Sequence, residues 1–167
     1  LERTFQYDKN GNLLRQRGPA YDVGGTDYYS YNFTVYDEAN RVVRVYNMLA
    51  NTGSNYSPSP PSAAFIEYFY DLAGNTIDVR DQLYTSGSYH HTEFTYDWLS
   101  RQIETTANYN VSGTPTPRTT KQVFDAAGLL HWSEDGEGYK MYPEYDLSGR
   151  QVKLHRGASN GDAELNV

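Results

Sequence analysis

Six aspartates occupy matching places along this chain, and a carboxylate is the first side chain to examine for chemistry. They are Asp8, Asp37, Asp71, Asp97, Asp125 and Asp146. An aspartate can act as a general acid or base, a nucleophile or a metal ligand, and each role needs a second group close by. What stands beside these six in sequence is something else. An aromatic residue precedes each one (Tyr7, Tyr36, Tyr70, Tyr96, Phe124, Tyr145), and a turn-former follows three residues later: Gly11, Asn40, Gly74, Ser100, Gly128 and Gly149. An Asp that opens a type I turn accepts a hydrogen bond from the backbone two residues on. Gly in the fourth place takes positive φ and lets the turn join two strands through a bulge. Asn tolerates that conformation, and Ser is a poorer substitute. The pattern therefore assigns these twelve residues to bending backbone.

The other candidates for chemistry are weaker. His90 and His91 are adjacent, and adjacent side chains on a strand point to opposite faces, so together they make a poor chelate. Cysteine is absent, which excludes disulfides and thiolate metal sites. Serine-hydrolase elbow, zinc-protease and phosphate-loop patterns are all missing. With 21 acidic residues, neighbours such as Glu134 and Asp135 arise by chance. This reading has no catalytic residue, no metal site and no cofactor. A carbohydrate site is the alternative that exposed aromatic rings offer, with Tyr28, Tyr29, Trp98 and Trp132 as the rings to stack on sugars.

The elements that must hold the six turns are strands. Before the aspartates stand Phe5 and Tyr7, Val35 and Tyr36, Tyr68 to Tyr70, and Phe94 to Tyr96; after the turns stand Val42 to Val45, Ile77 to Val79, and Val152 to Leu154. Aromatic and β-branched residues suit a pleated, half-buried surface. Each copy thus reads as a β-hairpin with its tip at 8–11, 37–40, 71–74, 97–100, 125–128 or 146–149. Six residues past each aspartate stand Leu14, Val43, Ile77, Ile103, His131 and Val152, a mostly aliphatic column expected to face a shared core and to continue at Val45, Val79 and Leu154. His131 breaks the column, so the fifth hairpin is expected to turn Leu130 or Trp132 inward. The fold class is all-β: about six tandem antiparallel hairpins side by side in one long twisted, curled sheet over residues 1–156, followed by a flexible tail at 157–167.

Between the tips the sequence varies. Gly18-Pro19 reads as a strand break, and Tyr21 to Gly25 as a degenerate turn with its Gly one place early. Ser57 to Ser62 holds three prolines and reads as a surface loop. Tyr84 to Tyr89 reads as a turn, Asn108 to Thr120 as a loop, and Glu134 to Gly138 as a tight acidic turn. The tips of the third, fourth and sixth hairpins carry Leu72, Trp98, Leu99 and Leu147, and are expected to pack against a neighbouring turn or against other parts of a parent protein.

Composition bounds the partners. The chain has 167 residues, about one domain's worth, and a net charge of −7. An acidic chain without clustered Lys or Arg is a poor match for nucleic acid or an anionic membrane. No apolar run approaches the length of a membrane span. Aromatics make up 15% of the residues, and 17 are Tyr, which suits a thin sheet wet on one side. The start at Leu1, with no secretory signal, reads as a fragment or a processed chain.

The six Tyr-Asp-x-x-Gly-Arg-type turns resemble the YD repeats of RHS proteins, which also occur in the B and C components of insecticidal toxin complexes and in teneurins. The resemblance runs from Phe5 to His155. The consensus Gly stands at Gly11, Gly74, Gly128 and Gly149 and is replaced at Asn40 and Ser100; the consensus basic residue stands at Arg41, Arg101 and Arg150. It implies a spiralling β-wall of a hollow shell that encloses or presents a toxic polypeptide. It also implies a bacterial, secreted or cell-surface setting, and the remaining repeats of a parent chain and an enclosed polypeptide as partners. The self-cleaving aspartates and toxin domain of that family have no counterpart here. Raw sheet edges add edge-to-edge self-association, and the aromatics add glycans, to the expected partners.

Overall fold

The computed structural model describes residues 2–51, 64–82, 89–109 and 117–157. Its twelve strands are β1 (Thr4–Tyr7), β2 (Leu13–Val23), β3 (Thr26–Tyr36), β4 (Val42–Ala50), β5 (Phe65–Tyr70), β6 (Thr76–Gln82), β7 (Tyr89–Tyr96), β8 (Gln102–Tyr109), β9 (Arg118–Phe124), β10 (Leu130–Glu134), β11 (Lys140–Tyr145) and β12 (Gln151–Arg156). They lie in one sheet in chain order, and each pairs antiparallel with the next. The fold is all-β, and among the described residues no helix is long and apolar enough to cross a membrane.

One register governs the junctions between hairpins. The residue seven past one aspartate faces the residue four before the next: Arg15 opposite Phe33, Arg44 opposite Glu67, Asp78 opposite Glu93, Glu104 opposite Lys121. The fifth junction keeps it, with Ser133 opposite Met141. That ladder is short, and Pro143 in β11 has no N–H to extend it.

Alternation along this register defines two faces. One carries Tyr29, Tyr31 and Phe33 of β3, Tyr46 and Met48 of β4, and Phe65 of β5, where the core gathers. Among the described residues only Tyr31, Phe33 and Tyr46 are buried apolar side chains. The aliphatic column, including Val45 and Val79, lies on the opposite face and forms no buried core: Ile77, Val152 and Leu154 are exposed and the other aliphatic members half-buried. The reason is architectural, since a single sheet has no second layer to cover that face. In the fifth hairpin a register shift between Leu130 and Trp132 leaves His131 exposed and Leu130 and Trp132 half-buried.

Three further expectations are corrected. Gly18-Pro19 does not break the strand; β2 runs through it with an irregularity between Arg17 and Ala20 that absorbs the proline. Gly18 is buried, and a Cβ there would collide with the Ser30 Oγ. The chain does turn within Tyr21 to Gly25, but the turn is narrower than expected: a two-residue hairpin connection, Gly24-Gly25, with φ of 62° and 84°, while Tyr21 to Val23 belong to β2. The apolar side chains of the tips do not pack on a neighbouring turn, since Leu72, Leu99 and Leu147 are exposed and Trp98 is 88% exposed; the third and fourth tips meet instead through a polar bond from the Asn75 amide to the Ser100 hydroxyl. The proline-rich segment 57–62, residues 83–88 and 110–116, and all of the tail but Gly157 lie outside the described residues.

Candidate functional site

The repeated site is a turn together with its bond to the next hairpin. In all six turns the aspartate N–H donates to the carbonyl four residues on, and the N–H three residues on donates back to the aspartate carbonyl; at Asp37 these are 2.9 Å to Arg41 and 3.1 Å from Asn40. The fourth residue has positive φ each time: Gly11 at 87°, Asn40 at 60°, Gly74 at 92°, Ser100 at 60°, Gly128 at 86° and Gly149 at 75°. The aspartate Oδ1 accepts the N–H four residues on, from Asn12, Arg41, Asn75, Arg101, Leu129 and Arg150. The Oδ2 takes a side-chain donor from that same residue where it has one. Arg41, Arg101 and Arg150 donate through Nε at 2.7–2.8 Å, and the Asn12 and Asn75 amides do the same at 2.8–2.9 Å. Leu129 has no such donor, so Asp125 keeps only the backbone bond.

Asp135 builds a seventh turn of this kind at the opposite edge of the sheet, between β10 and β11. Gly138 sits at φ 84°, and the Asp135 Oδ1 accepts from Glu137 and Tyr139. The Asp-x-x-Gly spacing signals it in sequence; Glu134 standing where the other copies have an aromatic masks it.

Each turn also holds the one before it. The aromatic residue ahead of the aspartate reaches across the junction, and its hydroxyl donates to the carbonyl five residues past the previous aspartate. Tyr36 donates to Leu13 at 3.3 Å, Tyr70 to Val42 at 2.6 Å, Tyr96 to Thr76 at 2.8 Å and Tyr145 to Leu130 at 3.1 Å. Where the earlier turn has Arg, the guanidinium also covers the ring: Arg41 lies 4.6 Å from the Tyr70 centroid and Arg101 lies 4.4 Å from that of Phe124. Arginine thus binds its own aspartate and the next hairpin's ring at once. Burial pushes the Tyr70 and Tyr96 hydroxyls above their ordinary titration range.

Phe124 alone among the five inter-hairpin rings lacks a hydroxyl. Phe124→Tyr is therefore expected to stabilise the chain by about 1 kcal/mol, one net hydrogen bond to the Gln102 carbonyl. Urea denaturation checks this, and an unchanged or lower midpoint would refute it.

Five turn carboxyls are held below their ordinary value of 3.8. The Asn12 and Asn75 side-chain amides do most at Asp8 and Asp71, and the Arg41 and Arg150 backbone N–H groups do most at Asp37 and Asp146. At Asp97 burial pushes upward, and the N–H groups and guanidinium of Arg101 outweigh it. The unfolded chain, with ordinary carboxyls, takes up protons first as pH falls. The stability these turns contribute is complete above about pH 4 and disappears as pH drops through the lower folded values. Denaturation midpoints measured stepwise from neutrality downward should stay level and then fall in that window; a level profile throughout would refute the assignment.

On the face that carries the core, charges pair between aromatic rings. Arg44 pairs with Glu67 and lies 4.7 Å from the Phe65 centroid. Asp78, buried, takes the Arg80 guanidinium at 2.9 Å and His91 Nε2 at 2.7 Å. Glu144 is held below its ordinary value by hydrogen bonds from His155 and Lys153. No group of three or more residues able to hold a metal ion occurs among the described residues.

The four rings named for sugar stacking do not come together. Tyr28 points to the face opposite Tyr29 and lies 6.1 Å from Tyr21. Tyr29 lies under Arg17, Trp132 lies beside Lys140 seven strands away from it, and Trp98 stands alone at a tip.

No family model matches the chain, and no curated protein matches it. Among solved structures it is similar to the Photorhabdus luminescens Tc holotoxin pore carrying a TccC3 mutation, at 16% identity over 91% of this chain and 11% of that one, with a TM-score of 0.42. The TcdB2-TccC3-TEV crystal structure gives the same values. The TcdB2-TccC3-Cdc42 structure gives 15% identity over 96% of this chain and 13% of that one, also at 0.42. The chain spans about a tenth of the length of the structures it matches.

Proposed function

We propose that this chain is a non-catalytic section of wall from an RHS-type YD-repeat shell, secreted or displayed at a bacterial surface, that encloses or presents a toxin or effector polypeptide. The observation that carries the reading is the tyrosine latch, made at four of five junctions in a single register. A unit that bonds its predecessor the same way each time is built to extend a wall. The aspartates' turn-holding role supports the non-catalytic reading: every Oδ1 of the six is occupied by a backbone N–H of its own turn. The uncovered aliphatic face and the exposed apolar tips fit a segment whose remaining contacts come from a larger parent chain.

Electron microscopy of the whole parent polypeptide, combined with limited proteolysis, tests this. The expected result is a hollow closed particle with one segment protected from cleavage. A solid rod or open fibre in which every segment is cut at a similar rate would overturn it.

A further inference from the structure

Among the described residues two side chains other than glycine stand at positive φ, Asn40 and Ser100, both at 60° and both at the fourth place of a tip. That conformation crowds a Cβ, and a residue is kept in it where its side chain does something glycine cannot. Both follow the same kind of partner. The residue that leaves each turn, four past the aspartate, is Asn12 ahead of Asn40 and Asn75 ahead of Ser100. The Asn12 and Asn10 amides donate to the Asn40 Oδ1 at 2.8 and 2.9 Å, and the Asn75 amide donates to the Ser100 hydroxyl at 3.3 Å. An asparagine has neither the length nor the charge to cover the next hairpin's ring, so it ties its own aspartate to an acceptor on the next tip.

Where arginine or leucine leaves the turn, glycine stands on the next tip: Arg41 ahead of Gly74, Arg101 ahead of Gly128, Leu129 ahead of Gly149. Arg41 and Arg101 direct their guanidinium to the next ring, Arg41 also to the Asp71 carbonyl, and leucine has no donor. None of the three asks for an acceptor, and the residue that takes positive φ most easily fills the place. At Gly128 a Cβ would already touch the Arg101 Nη1 at 3.5 Å, so a longer side chain would stand against the guanidinium.

We propose that these two positions form a matched pair, in which the residue leaving one turn selects the fourth residue of the next tip. Asparagine takes a polar acceptor; arginine or leucine takes glycine. The match also discriminates between hairpins of similar sequence. A hairpin that skipped its neighbour would set Asn12 against Gly74, Arg41 against Ser100 and Asn75 against Gly128, and of such pairings only Arg101 against Gly149 would fit. The inference rests on the junctions and not on the shell reading.

An exchange within the chain tests it. Asn40→Gly together with Gly74→Asn moves two residues between tips and leaves composition unchanged. The folding equilibrium constant from urea denaturation is expected to fall roughly fivefold. The Asn12 amide loses its acceptor, and the asparagine brought to the third tip meets a guanidinium already committed to Tyr70 and Asp71. Adding Asn12→Arg and Arg41→Asn moves the leaving residues to match and is expected to restore most of the loss. Should the exchange abolish folding by circular dichroism, recovery of the β spectrum in the four-change chain is the same expected result. An unchanged midpoint after the exchange, or a four-change chain no more stable than the two-change chain, would overturn the proposal.

Discussion

Replacing Tyr31 by Ala should cost about 3–5 kcal/mol, the largest effect expected of any single change in this chain. Tyr31 is 1% exposed, the most deeply buried large side chain among the described residues. It stacks on Phe33 with centroids 5.8 Å apart and leans on Tyr29 at 6.5 Å. Met48 of β4 lies opposite it on one side and Arg17 of β2 on the other. Truncation removes the ring from the middle of a cluster in a single sheet, where no facing layer can move in to fill the space. The loss should be regional as well. Each hairpin meets only its neighbours, so weakening the centre uncouples the hairpins on either side. Hydrogen exchange should therefore accelerate first in β2 to β5. As a control, Val35→Ala on the same face but exposed should cost under about 1 kcal/mol. Urea denaturation of both variants decides the matter: a Tyr31→Ala cost no greater than that of Val35→Ala would mean that this cluster is not the core.

Tyr70→Ala should cost about 3 kcal/mol and Tyr70→Phe about 1 kcal/mol, and the difference between them separates ring from hydroxyl. The hydroxyl donates to the Val42 carbonyl at 2.6 Å, and its removal leaves that acceptor unpaired in a half-buried junction. The ring lies under the Arg41 guanidinium, which also donates to the Asp71 carbonyl at 3.3 Å. Losing the ring therefore releases an arginine that would otherwise tie two turns together, and an aromatic–cation contact is worth about 0.5–1 kcal/mol beyond area. The measurement is again a denaturant midpoint, with amide exchange at β4 and β5 as the local readout. Equal costs for the two variants would mean that the ring contributes nothing and that the junction rests on its ladder alone.

How far the sequence could be read depends on how far apart the interacting residues lie. The hairpin array was legible because its signals are local. Aspartate, turn-former and flanking β-branched or aromatic residues fall within a few positions of one another, and antiparallel neighbours in chain order follow from short tips. The latch was not legible: Tyr70 and Val42 are 28 residues apart and meet only through the strand register. Recurrence of tyrosine suggested a surface preference, whereas its hydroxyl makes a specific bond to the preceding hairpin. The aliphatic column shows the same limit from another side. Alternation placed Leu14, Val43, Ile77 and Val152 on one face, but burial requires a covering layer, and nothing in the periodicity of a strand states whether one exists. Glu134 to Gly138 was legible as a tight turn, but not as a seventh turn of the repeated kind, because a glutamate stands where the other copies have an aromatic, and that aromatic belongs to the latch and not to the turn.

What this chain's residues dictate on their own is therefore everything decided within a span of about five positions: where the backbone reverses, which segments extend, and that the result is a run of hairpins. Which face holds the core and which side chains bind one repeat to the next emerge only once the strands are in register. Hydrogen bonds inside a turn depend on neighbours in the chain, whereas contacts across a sheet depend on neighbours in space.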